Sequence, residues 1–212
     1  MQVLVVAAHP CAESFNHAIL DRACRGLRSG GHSVDVVDLY QLHEQGFDPV
    51  MREAEWVGYV ADSVSPEAST PGGALDPLIA AHIDLVTGAD AIVFVYPTWW
   101  SSVPAILKGW LERVLRPGVA FSMDHRRRAR PALRGVRRLV GISTYGSSRW
   151  YVRLVNDNGR RLVSRTLRIC TGGSARTTWL GLYSIDTSDT ARREAFLDTV
   201  EHRMAALGRG LS

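Results

Sequence analysis

The chain has 212 residues, of which 46% are hydrophobic and 22% charged, with a net charge of +4. That length suits one domain or two small ones, and the apolar share is enough to bury a core, so wholesale disorder is excluded. The longest apolar runs, such as the one ending at Tyr96, fall well short of the roughly 20 residues a membrane-spanning helix needs.

The opening Met1-Gln2-Val3-Leu4 carries no basic leader, so no export signal is expected. Cys11, Cys24 and Cys170 are odd in number and widely spaced, with no C-x-x-C. Neither a disulfide framework nor a metal site is expected, and a reducing cytoplasm is the expected location. The positive charge is local. Residues 125–138 hold seven arginines and no acid, whereas elsewhere eighteen basic residues face twenty-one acidic ones. The segment reads as a solvated loop. A binding site for a phosphate such as the 2′-phosphate of NADPH is a second reading. Nucleic acid is a distant third, since no aromatic stands between the arginines.

Residues 2–8 form a Val-rich run that predicts a strand buried on both faces. A turn follows at His9-Pro10, and Ser14 is placed to cap a helix from Phe15 to about Arg28, stopped by Gly30-Gly31. A second strand is predicted over 32–40. Residues 41–73 are less regular, with a short helix from Glu53 to Val60 and a loop marked by Pro66, Pro71, Gly72 and Gly73. A helix over 74–87 precedes a buried strand at 91–96. Pro104 then opens an amphipathic helix. A strand over 136–143, a helix near 157–169, a weaker strand over 177–185 and a helix over about 188–207, capped by Thr187 or Ser188, complete the chain.

Strand and helix alternate throughout, so the expected fold is α/β: one flavodoxin-like, doubly wound sheet of five parallel strands, with residues 1–212 as a single domain. Ligands in such sheets sit beyond the carboxyl ends of the strands. The informative residues are therefore those that follow each strand.

After the first strand comes AHPCAESFN, residues 8–16. It is neither G-x-G-x-x-G nor a P-loop. It does lead into a helix N-terminus, where free N–H groups suit a phosphate and His9, Ser14 and Asn16 add donors. The same stretch also reads as an ordinary cap beside an idle histidine. After the third strand, Trp99 and Trp100 follow Pro97 and Thr98. Two adjacent tryptophans there can pack on a flat ring, or belong to the core or an interface. After the fourth strand, Ser143, Thr144, Tyr145 and Gly146 open a small-residue loop that can approach a ring closely or be a plain turn.

Together, AHPCAESFN, YPTWWSSVPAILKGWLERVL and STYG resemble the NAD(P)H:quinone oxidoreductase family, the group that includes DT-diaphorase, the modulator of drug activity B proteins and ancillary subunits of glutathione-gated potassium efflux systems. The resemblance spans essentially the whole chain. It implies a tightly held flavin, FAD or FMN, reduced by NAD(P)H and reoxidised by a quinone or another flat acceptor. It places His9, Ser14, Phe15 and Asn16 at the flavin phosphate. Pro97, Thr98, Trp99 and Trp100 would line the isoalloxazine, with backbone N–H groups of 98–100 near N5 and O4. Ser143, Thr144 and Gly146 would meet its other edge. Arg193 matches an arginine that touches the adenine half of FAD, and Tyr151 a tyrosine that assists hydride transfer.

There are departures. The histidine that partners this tyrosine in the family is missing, and Asp157 or Asn158 stands in its place. Tyr145 replaces a common glycine, which predicts a narrower pocket. Glu13 occupies a position often held by a hydroxyl residue. The resemblance also implies a homodimer and leaves two other functions open: an ancillary transporter subunit with little turnover, and a flavodoxin-type electron carrier.

Overall fold

The structure is a computed structural model and describes residues 1–64 and 75–209. The loop expected at Pro66, Pro71, Gly72 and Gly73 lies outside the described residues. Five strands form one parallel sheet: β1 (Gln2–Ala7), β2 (Ser33–Asp38), β3 (Ala91–Pro97), β6 (Arg138–Thr144) and β7 (Arg176–Leu182). Their order is β2-β1-β3-β6-β7, the flavodoxin order, and β1 lies between β2 and β3.

Strand alternation divides one apolar run between two cores. Val3, Val5 and Val93 face α1 (Phe15–Ser29) and α9 (Thr190–Ala205), packing on Ile19, Ala23 and Val200. Leu4, Val6, Ile92 and Phe94 face the opposite way, toward α4 (Pro77–Gly88) and α5 (Ala105–Val114), where Ile79, Leu107 and Trp110 cover them. Burial on both faces explains why these strands read as continuous runs. On the first face α1 and α9 approach so closely that a Cβ at Gly26 would lie 2.3 Å from the Glu201 carbonyl oxygen.

Several boundaries differ from the sequence reading, each through a cap or a turn. The second strand stops at Asp38, whose carboxylate accepts the N–H groups of Tyr40 and Gln41 and starts α2 (Leu39–Glu44). α3 runs over Glu53–Val64. Ser148 caps α6 (Arg149–Leu154), a helix within a stretch expected to be loop. The helix expected near 157–169 consists of α7 (Asn158–Arg161), a π-helical segment (Leu162–Leu167) and α8 (Arg168–Cys170). The last helix is capped by Asp189, not by Thr187 or Ser188.

The basic segment is not a plain loop. Residues Phe121–Met123 (β4) and Ala129–Pro131 (β5) form an antiparallel hairpin. Asp124 turns it by accepting the N–H groups of Arg126 and Arg128 and pairing with the Arg130 side chain. Among the described residues, no helix is long and apolar enough to cross a membrane.

Candidate active site

The carboxyl ends of β1, β3, β6 and β7 open into one cleft of about 500 Å³. That volume falls in the ordinary range for a small-molecule or cofactor site. β1 and its following turn supply His9, Phe15 and Asn16. β3 supplies Pro97, Thr98 and Trp99, and β6 supplies Thr144 and Gly146. Arg193 comes from α9. Nine residues expected at a ligand site are thus brought to one wall or another of a single cleft.

The first turn of α1 is braced. Ser14 accepts the His17 N–H, and its Oγ lies 3.1 Å from His17 Nδ1. His17 Nε2 lies 2.8 Å from Asp38 Oδ2. This Ser14–His17–Asp38 chain links the turn after β1 to the end of β2, and neither His17 nor Asp38 was singled out from sequence. Ser14 therefore acts as cap and brace and does not line the cleft. Glu13 is exposed.

His9 Nδ1 lies 3.1 Å from the Cys11 backbone N and 3.3 Å from the Cys11 carbonyl oxygen, which holds the ring against the turn. Burial, the main cause, pushes the His9 imidazole below its ordinary range. Asn16 is buried. Its Nδ2 donates to Thr144 Oγ1 at 3.1 Å, and its Oδ1 has no partner. A buried acceptor left unpaired on a cleft wall fits a ligand that donates a hydrogen bond there.

The tryptophan loop is a two-residue hairpin. Trp99 and Ser102 exchange backbone hydrogen bonds at 3.1 and 3.0 Å, and Trp100 and Ser101 both take left-handed conformations, with φ of 49° and 58°. This turn lifts Trp100 wholly into solvent. It also corrects one expectation. The Thr98 N–H donates to Thr144 O at 2.8 Å and the Trp99 N–H to Ser102 O, so of residues 98–100 only Trp100 keeps an N–H without an internal partner among the described residues. The N–H groups of Gly146 and Ser147 are likewise unpaired among them.

Gly146 faces Asp186 across the cleft. A Cβ there would lie 2.9 Å from Asp186 Oδ2, so a side chain would take up space between the two walls and displace that carboxylate. Asp186 and Ile185, after β7, line the cleft and were missed from sequence. The rule of inspecting strand ends points to them, but no polar cluster or aromatic pair draws attention there.

Ser143 is buried and lies behind the wall, its Oγ 2.8 Å from Thr98 Oγ1. Arg193 points along the wall. Its Nε donates to Ser188 Oγ at 2.9 Å and its Nη2 to Ile185 O at 3.1 Å, while its guanidinium carbon sits 6.0 Å from the centre of the Phe15 ring.

Beside the cleft, and sharing Thr98 and Gly146 with it, is a hollow of about 220 Å³. Trp100, Tyr145 and the half-exposed Tyr151 line it. Tyr145 lines this hollow and not the larger cleft. It is buried, stacked on Tyr183 at 4.4 Å and 12°, and its hydroxyl donates to the buried Asp157 carboxylate at 3.1 and 3.3 Å.

A parallel five-stranded sheet of this order, with a polar cleft at its switch point, defines a flavodoxin-like α/β protein. The chain matches the family of flavodoxin-like fold, Flavodoxin_2, over residues 1–196 and belongs to it. It is 33% identical over 156 residues to rat NAD(P)H dehydrogenase [quinone] 1, covering 71% of this chain and 56% of that protein. It is 31% identical over 166 residues to human ribosyldihydronicotinamide dehydrogenase [quinone], covering 75% of this chain and 70% of that one. The chain thus spans little more than half the length of the rat relative. Among solved structures, an NAD(P)H:quinone oxidoreductase from Methanothermobacter marburgensis superposes with a TM-score of 0.77 at 25% identity, over 100% of this chain and 99% of that one. These similarities agree with the family read from the sequence motifs.

Proposed function

We propose that this protein is a flavin-dependent NAD(P)H:quinone oxidoreductase, folded as one domain over residues 1–212. The observation that carries the reading is the cleft itself. Three strand-end segments read from sequence as one ligand site do meet, and their wall holds a buried, unpaired Asn16 Oδ1 and a glycine at 146 that adds no side chain to the cleft. Those features suit a flat ring with hydrogen-bonding edges and a phosphate tail.

In this reading His9 and the braced first turn of α1 hold the phosphate, with the helix N-terminus contributing its dipole. Pro97, Thr98 and Trp99 flank the ring on one side, and Thr144 and Gly146 on the other. A bound flavin would find unpaired N–H groups at Trp100, Gly146 and Ser147 available to stabilise the negative charge of its reduced form. When bound, the flavin supplies hydride transfer in both directions. The neighbouring hollow, with Trp100 and Tyr151 on its walls, takes first the nicotinamide and then the acceptor, in a ping-pong sequence. Tyr151 is a phenol of ordinary pKa about 10 and can donate a hydrogen bond near neutral pH.

Between the two flavins, the family resemblance favours FAD, because Arg193, which lines the cleft, matches an arginine that touches the adenine half of FAD. A homodimer would cover the exposed Trp100, Trp150 and Leu154, which lie on the turn after β3 and on α6. The test is steady-state oxidation of NADH and NADPH by the flavin-loaded protein with a benzoquinone. Parallel double-reciprocal lines are expected. Absence of acceptor-dependent oxidation with either nicotinamide overturns the reading.

A further inference from the structure

We infer that Asp186 determines acceptor specificity: its carboxylate lowers the reduction potential of the flavin that the cleft holds and so widens the range of acceptors that flavin can reduce. This rests on the quinone reductase reading and adds what sets the reducing power of that site.

Asp186 stands in the single turn Ile185–Thr187 that follows β7, and it lines the cleft. Two hydrogen bonds clip this turn to the loop after β6. The Ser184 N–H donates to Ser147 O and the Ile185 N–H to Tyr145 O, both at 3.0 Å. The two accepting residues flank Gly146 in the chain. Tyr183, at the start of the turn, stacks on Tyr145 and adds a third tie. Ser184 takes a left-handed conformation at φ 53° to bring the chain round. Strained backbone of this kind persists only where its surroundings hold it.

The carboxylate is thereby fixed against the loop. A Cβ on Gly146 would lie 2.9 Å from Asp186 Oδ2. A carbon–carbon bond spans about 1.5 Å, so this oxygen stands within about 4.5 Å of the Gly146 Cα. Gly146 and Ser147 carry the unpaired N–H groups of this wall. A ring edge that accepts from them is brought by the same contact within reach of the Asp186 carboxylate.

That negative charge is unpaired. Among the described residues the Asp186 side chain has no ion pair and no hydrogen bond. The neighbouring arginines of α9 are engaged elsewhere. Arg192 donates to Tyr183 O, and Arg193 donates to Ser188 Oγ and Ile185 O. His9, the other titratable residue of the cleft wall, is pushed by burial toward its neutral form.

Reduction brings more negative charge to the same place. A hydride leaves NAD(P)H, which becomes NAD(P)+, and its two electrons, one proton and single negative charge enter the cleft. Like charges a few ångströms apart repel, and more strongly once a bound ring excludes water from between them. The carboxylate therefore disfavours the reduced form. The N–H groups of Gly146 and Ser147 pull the other way, so the wall sets the potential by the balance of its donors against one acid. A flavin of lower potential passes hydride to poorer acceptors such as nitroaromatics, whereas a benzoquinone is reduced readily without that help.

The test is a spectrophotometric redox titration of flavin-loaded wild type, Asp186→Asn and Asp186→Glu against a reference dye. It is paired with stopped-flow reoxidation by a benzoquinone and by a nitroaromatic. Asp186→Asn should favour the reduced flavin about tenfold, which is about 30 mV upward for a two-electron couple. Asp186→Glu keeps the charge and should stay near wild type. In Asp186→Asn, reoxidation by the nitroaromatic should slow several-fold while that by the benzoquinone changes little. Equal potentials in all three proteins, the same rise in both variants, or an acceptor preference that does not follow the potential overturns the inference alone. Protein that binds no flavin, or a bound flavin that neither nicotinamide reduces, overturns the quinone reductase reading and the inference with it.

Discussion

The Asn16 amide donates to Thr144 Oγ1 at 3.1 Å, joining the first turn of α1 to the end of β6 across 128 positions of chain. Its other amide atom, Oδ1, is buried and unpaired. Asn16→Ala should therefore act twice. It should lose about 1–3 kcal/mol of stability through the stranded Thr144 hydroxyl, and it should weaken flavin binding about tenfold. Urea unfolding and fluorescence titration with FMN and FAD read the two effects separately.

Gly146→Val should separate binding from stability. The added Cβ would meet Asp186 Oδ2 at 2.9 Å in the cleft, and the larger side chain would fill the space left for a ring. Flavin affinity should fall more than tenfold, with an unfolding midpoint close to that of wild type. Wild-type affinity in this variant would remove the 146 loop from the ring-binding wall.

Gly26→Ala acts far from the cleft. Its Cβ would lie 2.3 Å from the Glu201 carbonyl oxygen, so α1 and α9 must separate. Overpacking of this kind costs about 1–3 kcal/mol. Thermal unfolding should drop by several degrees, about 2–4 °C for each kcal/mol in a chain of this size.

Trp100 is fully exposed and takes φ 49°. A left-handed residue with a Cβ costs roughly 1–2 kcal/mol, which glycine avoids. Trp100→Gly should raise stability by about 1 kcal/mol while slowing acceptor turnover, because the hollow loses a wall. Greater stability with unchanged turnover would assign Trp100 to an interface instead.

Acid should destabilise the fold before it titrates carboxylates. His82 is buried and accepts the Trp110 indole N–H at 3.2 Å, and burial lowers its pKa. His9 and His32 are lowered for the same reason. The unfolded chain binds these protons first, so stability is full above about pH 6.5 and falls as pH drops below it. Urea midpoints from pH 7.5 to 5 should show this, and His82→Gln should flatten the slope.

The strands were legible because burial on both faces leaves β1 and β3 almost wholly apolar and gives β6 the apolar centre Leu139–Ile142. Eight of the nine cleft residues were legible because they stand at or soon after the ends of those strands, whereas Arg193, on α9, was legible only through the family resemblance. α2 and α6 were hidden because a single capping side chain, Asp38 or Ser148, turns the chain where the pattern still reads as strand or loop. The hairpin within 121–131 was hidden because its strands are three residues each, too short to show a period. His17 and Asp38 were missed because their link is tertiary, between residues 21 apart. The Tyr145–Asp157 pair was visible only as two departures from the family pattern, and folding makes them one contact.

The most direct measurement is the identity of whatever small molecule the purified protein carries. Unfolding the protein and weighing the released chromophore should give FAD, close to one per chain. Protein that is isolated colourless and remains so after dialysis against FAD and FMN would contradict the assignment of the cleft.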